Sequence, residues 1–251
     1  LNEPYNSEEL DDQTKDLINE LDHYINNKYL LSVKYEDVKT GFNYYYKPKD
    51  SYYAASTIKL LDALYIYQKA ALNEIDLNDT IEYKSSDVLN DSKGMKQHKV
   101  GDKISLKELV KYAIIYSDNS AHQMLIHYIS FNNLKNYGNS LGASLTLTGG
   151  DNFGYINAND AIKYLKATYN FIENNDNLGK ELKEFLVAAE ENGIKYDSLN
   201  SDVAHKYGYY QTIYNDLGIV YDNSLQEKHE MVTDLVSNPY QSLFFVIGGS
   251  S

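Results

Sequence analysis

The chain has 251 residues, 43% of them hydrophobic and 24% charged, so it can bury a sizeable core and is expected to fold. Its formal net charge of −13 argues against sequence-independent binding to nucleic acid, because such binding depends on clustered basic residues. Cysteine is absent, which excludes disulfides, a thiol nucleophile and thiolate metal sites. All 23 basic residues are Lys, so a bound carboxylate must be recognised by ammonium groups.

The N-terminal part of the chain predicts a helix followed by a β-hairpin. Apolar residues recur at helical spacing over residues 8–27, which favours an amphipathic helix. Residues 29–36 and 42–47 are rich in β-branched and aromatic side chains. The residues between them, 37–41, indicate a hairpin turn.

The middle of the chain, from Ser56 onward, predicts mainly helices. Ser105 and Glu108 form a capping-box pattern, which marks the start of one of them. The predicted helices cover about 56–72, a segment starting at 105, and 119–129, 158–173 and 180–191, the last ended by Gly193.

Strand character returns near the C-terminus, at 203–211, 217–221 and 242–247. The order of elements predicts an α/β (α+β) fold, with an antiparallel sheet flanked by helices and an inserted all-α domain. We expect residues 1–50 and 200–251 to form the sheet domain and 51–199 to form the helical domain. A cleft is expected at the seam between them. Residues 224–237 form an insertion to which we assign no element.

Ser56 and Lys59 form the first chemical motif, the one Ser-x-x-Lys in the sequence. Residues three apart share a helix face, so the Lys59 amine can take the proton of the Ser56 hydroxyl. A serine in the first helical turn also lies beside unpaired backbone N–H groups, which stabilise negative charge on an attacked carbonyl. The alternative interpretation is a helix cap with a solvated lysine.

A second motif, Ser117-Asp118-Asn119, lies between two predicted helices. These residue types are also favoured at helix N-caps, which is the alternative interpretation. A third motif, Lys-x-Gly, occurs three times, at 39–41, 99–101 and 206–208.

These segments resemble the class A β-lactamases and the penicillin-binding D,D-peptidases, in which Ser-x-x-Lys, Ser-Asp-Asn and Lys-Thr-Gly occur in that order. The resemblance extends from about Tyr29 to Ile247 and includes residues 215–221. The order selects Lys206-Tyr207-Gly208 as the third motif. Lys39-Thr40-Gly41 spells the motif literally but precedes the serine and lies in the hairpin turn.

The resemblance implies a role for each motif residue. Ser56 is the nucleophile, Lys59 its base, and Ser117 relays a proton to the leaving nitrogen. Asn119 holds the acyl side chain of the substrate, while Asp118 braces the turn. Lys206 lowers the pKa of Lys59 and attracts the substrate carboxylate, so that Lys206, Tyr207, Gly208 and Tyr209 line the substrate site. The backbone N–H groups of Ser56 and Tyr209 form the oxyanion hole.

The chain departs from the class A pattern between the second and third motifs. Class A enzymes carry a Glu-Pro-x-x-Asn segment there, whose Glu activates the water that releases the acyl group. This chain has residues 149–155 instead, with Asp151 as the one possible substitute. Tyr207 replaces a small hydroxyl residue, and there is no Arg to clamp a carboxylate.

The six histidines offer no alternative site. His122 and His127 are five residues apart and do not share a helix face, and His229-Glu230 lacks the second His of a zincin motif. We therefore expect no metal and no cofactor.

The predicted activity is that of a serine acyl-transfer hydrolase acting on β-lactams or D-alanyl peptides of peptidoglycan, without nucleic-acid partners. The alternative is a non-hydrolysing penicillin-binding or cell-envelope sensor protein of the same fold. No apolar run approaches the ~20 residues that a membrane span requires. Because the chain opens with Leu1, we expect a signal or lipoprotein peptide to have been removed, and a location outside the cell or in the envelope of a Gram-positive bacterium.

Overall fold

The computed structural model describes residues 31–38, 43–191, 202–221 and 241–248, together with isolated positions at 15, 16, 19, 23, 41, 193 and 194. The predicted helix over 8–27 lies outside the described residues apart from its isolated positions, and the insertion at 224–237 lies wholly outside them.

A five-stranded sheet joins the two ends of the chain. Its strands are β1 (Leu31–Asp37), β2 (Asn43–Tyr46), β7 (Asp202–Tyr210), β8 (Ile213–Tyr221) and β9 (Gln241–Gly248). Their spatial order is β2-β1-β9-β8-β7, so β7 is an edge strand. The predicted α/β class is confirmed, with strands from both ends of the chain in one sheet.

Strand direction differs from the prediction at β9. The pairs β1–β2 and β7–β8 are antiparallel, as predicted, but β9 runs parallel to both β1 and β8. The sheet is therefore mixed. Side-chain alternation predicts which residues form a strand but carries no information on its direction, and the connection between β8 and β9 is long enough for a crossover to a parallel strand.

The predicted N-terminal hairpin is present. The backbone N–H of Gly41 donates to the carbonyl of Asp37 at 2.9 Å and closes the turn. Gly41 has a φ of +75°, which glycine adopts without steric penalty.

Six α-helices lie within the described residues. They are α1 (Lys59–Ala71), α2 (Leu106–Ile115), α3 (Asn119–Ile129), α4 (Phe131–Ser140), α5 (Ala158–Asn174) and α6 (Asp176–Val187). The apolar face of α1 is fully buried, with Leu61, Leu64 and Ile66 each 0% exposed. This helix packs against α2 to α6 and thereby forms the centre of the helical region.

Two helices differ from the prediction. The sequence of α4 is rich in Asn, which disfavours helix interiors, and the helix was not predicted. The Ser130 hydroxyl caps its start by accepting from the N–H of Asn133. The last helix, α6, starts at Asp176 rather than 180 and ends at Val187, so Gly193 does not terminate it.

Two short two-stranded sheets position loops beside α1. Strand β3 (Tyr52–Tyr53), just before the nucleophile motif, pairs with β6 (Tyr155–Ile156), and β4 (Thr80–Glu82) pairs with β5 (Lys103–Ser105). The first pairing fixes the segment that precedes β6 close to Ser56. Helices α5 and α6 pack on the five-stranded sheet as well as on α1, and the division into domains at 50 and 200 stays a prediction.

Candidate active site

Ser56 lies in a single turn of 3-10 helix, Ala55–Ile58, that leads directly into α1. The turn is anchored at Ala54, whose carbonyl accepts from the Thr57 hydroxyl at 2.7 Å. Ala55 has a φ of +49°, which is unusual for a residue with a side chain. Such strained residues cluster at functional sites, because the surrounding structure must hold them in place. Ser56 itself is half-buried.

Lys59 is fully buried one helical turn after Ser56. Its Nζ lies 2.9 Å from Ser56 Oγ, 2.5 Å from the carbonyl oxygen of Ser117 and 2.7 Å from Asn119 Oδ1. The last two are acceptors that cannot donate. A neutral amine has two hydrogens for these acceptors, and its lone pair then accepts the Ser56 hydroxyl hydrogen.

Two causes favour the neutral amine. Burial lowers the pKa of Lys59 well below its ordinary value, and the nearby ammonium of Lys206 lowers it further. The carboxylates of Asp62, Asp118 and Glu191 oppose the shift without cancelling it. The arrangement therefore suits a lysine that accepts a proton near neutral pH.

Lys206 joins the site through a hydrogen bond to Ser117. Lys206 on β7 donates to Ser117 Oγ at 2.9 Å and to the carbonyl of Tyr207 at 2.7 Å. Burial lowers the pKa of Lys206 to about 8. Ser117 has a φ of +54°, so a second strained residue borders the site.

Asp118 and Asn119 fix the turn that carries Ser117. The two carboxylate oxygens of Asp118 accept from the N–H groups of Ala121 and Met95, at 2.9 and 2.8 Å. Asp118 therefore braces the turn, as predicted. The Asn119 amide donates to the carbonyl of Asn90 at 3.0 Å, which leaves its second hydrogen for another acceptor.

Gly208 lets β7 approach the nucleophile turn. A Cβ at this position would lie 2.8 Å from the backbone nitrogen of Thr57 and 3.0 Å from that of Ser56, which is too close. The adjacent residues project aromatic rings. Tyr207 is half-buried and packs near Tyr214, with ring centroids 6.5 Å apart, while Tyr209 is exposed.

The structure thus brings Ser56, Lys59, Ser117, Asn119 and Lys206 together through direct hydrogen bonds. The other Lys-x-Gly copies are elsewhere. Gly101 lies in a turn where its N–H donates to the carbonyl of Tyr83 at 2.8 Å. In the copy at 39–41, residues 39 and 40 lie outside the described residues.

A buried Asp62–His122 pair beside the site was not predicted. Asp62 lies on α1 three residues after Lys59, and its Oδ2 is 2.5 Å from His122 Nδ1 on α3. The other ring nitrogen of His122 lies 3.0 Å from the carbonyl oxygen of Asn152. Asp62 shares a helix face with Lys59, because the two residues are three apart, and this spacing is the signal that sequence reasoning missed.

Within the described part of the chain, no group of three or more His, Cys, Asp and Glu side chains is arranged to hold a metal ion. The same residues contain no helix with the length and apolar character needed to cross a bilayer.

Comparison with known proteins identifies the family. Residues 10–227 match the family model described as β-lactamase enzyme family. The ROB-1 β-lactamase of Haemophilus influenzae is 34% identical over 90 residues, which are 36% of this chain and 28% of that protein. A β-lactamase of Bacillus subtilis is 31% identical over 99 residues, 39% of this chain and 31% of that protein. The alignments thus span less than a third of these relatives.

Solved structures share the fold at low sequence identity. The TLA-3 extended-spectrum β-lactamase superposes with a TM-score of 0.73 at 18% identity, covering 89% of this chain and 96% of that one. A β-lactamase from Chitinophaga pinensis gives a TM-score of 0.71 at 15% identity, covering 85% and 86%. Since the family model matches most of the sequence and the fold agrees, this chain belongs to the β-lactamase enzyme family.

Proposed function

We propose that the protein is a serine acyl-transfer enzyme in which Ser56 attacks the carbonyl of a β-lactam or a D-alanyl peptide. The observation that carries this proposal is the position of Lys59. Its Nζ lies 2.9 Å from Ser56 Oγ, while Ser117 and Asn119 supply acceptors for both hydrogens of a neutral amine. Such an amine has its lone pair directed at the nucleophile's proton.

The proposed proton path runs through Ser56, Lys59 and Ser117; Lys59 Nζ is bonded to Ser56 Oγ and to the backbone carbonyl of Ser117. Lys59 takes the Ser56 hydroxyl proton as Oγ bonds to the carbonyl carbon. Lys206 donates to Ser117 Oγ, so the hydroxyl hydrogen of Ser117 is free to pass to the leaving nitrogen as the C–N bond breaks. Lys59 then returns its proton to Ser117. The two lysines end the acylation step in the protonation states in which they began.

Substrate binding is assigned to the same residues. Lys206 provides the positive charge for a substrate carboxylate, a role that falls to Lys because the chain contains no Arg. The free amide hydrogen of Asn119 donates to the acyl side chain. The backbone N–H groups of Ser56 and Tyr209 form the oxyanion hole, where each donor contributes about 10²- to 10³-fold to the rate. Tyr207 and Gly208 complete the lining on β7.

Intact-protein mass spectrometry after incubation with benzylpenicillin tests this proposal. The wild type is expected to gain the full mass of the β-lactam, because ring opening leaves no separate product. Ser56→Ala should show no adduct, and Lys59→Met should slow its formation by orders of magnitude. Ser86→Ala, an exposed serine outside the site, is the matched control. A wild type without an adduct and without β-lactam hydrolysis would contradict the proposal.

A non-hydrolysing penicillin-binding or envelope-sensor role is the second candidate. One observation favours it, since Asp151, the one acidic residue of the segment 149–155, has its Oδ1 bonded to the N–H groups of Phe153 and Gly154. The substrates named here occur outside the cytoplasm, so we place the protein there. The lifetime of the adduct distinguishes the two roles, because a β-lactamase loses its adduct within seconds and a sensor retains it.

A further inference from the structure

Releasing an acyl group from Ser56 requires water at the ester carbonyl and a base that takes its proton. Water adds to the carbonyl carbon, the bond to Ser56 Oγ breaks, and Oγ recovers a proton. The side chains beside Lys59 therefore decide how long the ester lasts. Two carboxylates on the neighbouring elements are the first to consider as bases, Asp62 on α1 and Asp151 in the segment before β6.

Neither carboxylate is placed to activate water at the ester, although Asp62 Oδ1 has no hydrogen-bond partner among the described residues. Asp62 is fully buried, and its Oδ2 is bonded to His122 at 2.5 Å. Asp151 Oδ1 accepts from the backbone N–H groups of Phe153 and Gly154 at 2.8 and 2.7 Å. The Asp151 side chain is also hydrogen-bonded to Tyr53, whose pKa is raised by burial and then by this carboxylate. Asp151 therefore stabilises its own loop.

The group that this loop directs at Lys59 is an aromatic ring. The Phe153 ring centroid lies 5.9 Å from Lys59 Nζ and 5.0 Å from the His122 ring. The Tyr53 ring centroid lies 6.2 Å from that of Phe153. The Phe153 ring therefore places apolar surface beside Lys59.

The backbone on both sides of Phe153 is anchored. The carbonyl of Asn152 contacts His122 Nε2 at 3.0 Å, and the Asn152 amide donates to Gln123 at 2.7 Å. The carbonyl of Gly154 accepts from the N–H of Ala54 at 3.0 Å, two residues before the nucleophile. The segment that carries Phe153 is thus anchored both to α3 and to the residues just before the nucleophile turn.

We propose that Phe153 shields the Ser56 acyl-enzyme from water, which makes this protein a long-lived acceptor of β-lactams rather than a fast hydrolase. The inference rests on the proposed acylation of Ser56. The class A pattern has a Glu between the second and third motifs. In the same interval, this chain has an anchored aromatic ring close to Lys59.

The experiment measures adduct formation and adduct loss separately. The wild-type chain and Phe153→Ala are acylated with benzylpenicillin, freed of excess ligand, and followed by intact mass spectrometry. We expect a wild-type adduct that persists for hours and a Phe153→Ala adduct that is lost at least tenfold faster. Adduct loss is followed after ligand removal, so a slower acylation of Phe153→Ala does not alter this comparison. Phe153→Leu, which keeps apolar bulk, should retain most of the lifetime. Phe131→Ala, which removes a half-buried ring on α4, is the matched control.

Glu191 provides the test of the competing explanation. Glu191 is exposed. Its negative charge raises the pKa of Lys206 and so opposes the lowering of that pKa by burial, which indicates that Glu191 lies near the site. Rapid wild-type turnover that Glu191→Gln abolishes would assign deacylation to that carboxylate and overturn the proposal. Equal adduct lifetimes in wild type and Phe153→Ala would also overturn it. Absence of any adduct and of hydrolysis would instead refute the acylation itself, so the two failures are distinguishable.

Discussion

The proposed mechanism requires the two buried lysines of the site to be in opposite protonation states, with Lys59 neutral and Lys206 charged. Burial, followed by the charge of Lys206, lowers the pKa of Lys59 well below its ordinary value, while burial lowers that of Lys206 to about 8. These shifts favour the roles that we propose, with Lys59 as the base and Lys206 as the cation. Acylation needs both conditions at once.

We expect a bell-shaped pH profile for the second-order rate constant of acylation. On the acid side the rate falls as Lys59 becomes protonated. On the basic side it falls near pH 8, as Lys206 loses the charge that binds the substrate carboxylate. Stopped-flow measurement with a chromogenic β-lactam gives the profile.

The methyl ester of the same β-lactam is the matched control. It lacks the carboxylate, so its basic limb should be nearly flat while its acid limb is unchanged. If the ester and the acid lose rate equally above pH 8, Lys206 does not act through the carboxylate.

Sequence reasoning identifies the site residues that belong to short local patterns. Ser56 and Lys59 share a face because they are three residues apart on a helix, and Lys206 follows from the order of the motifs along the chain. Phe153 and the Asp62–His122 pair were not predicted as parts of the site. The two members of that pair are 60 positions apart, and no local pattern encodes such a contact.

At the scale of elements, the Asp62–His122 pair joins α1 to α3 at a point that is fully buried. Burial raises the pKa of Asp62, and the nearby His122 opposes that shift. The Asp62 carboxylate therefore depends on His122 for the hydrogen bond that offsets the cost of burying it. Removing one partner leaves the other without its principal hydrogen bond in a low-dielectric interior.

We predict that His122→Leu lowers the free energy of unfolding by about 3–5 kcal/mol, because it leaves Asp62 buried and unpaired. The double variant Asp62→Leu/His122→Leu should recover a large part of that loss, since an apolar pair replaces a buried hydrogen-bonded polar pair. Urea unfolding followed by circular dichroism measures both. Additive effects of the two single substitutions would show that the pair does not stabilise the contact between α1 and α3.

Elements with strong local signals were predicted closely. The prediction of 119–129 coincides with the observed α3, and the sequence also indicated the strands at both ends of the chain. The misses have physical causes. Helix α4 has a polar sequence whose helicity depends on packing against α1 and α3, and the direction of β9 is set by its partners in the sheet rather than by its own residues.

At the scale of the whole molecule, strands from both ends of the chain form one sheet. Its edge strand β7 places Lys206 beside the nucleophile turn. The site therefore requires the complete fold, because Ser56, Ser117 and Lys206 lie on three separate segments. Sequence order predicted that strands from both ends of the chain share one sheet, because both groups of strands flank the helical region.

The formal net charge of −13 opposes the approach of the anionic substrates that we propose. Lys206 is buried, so its charge acts at short range, whereas the surplus of surface carboxylates acts over the Debye length, about 30 Å at 0.01 M salt and 8 Å at 0.15 M. Raising the salt concentration between these values should therefore increase the acylation rate constant of an anionic β-lactam, by roughly twofold to tenfold. The neutral methyl ester should show no such change. A rate that falls with salt for the anionic substrate alone would mean that a local positive field, rather than the net charge, governs its approach.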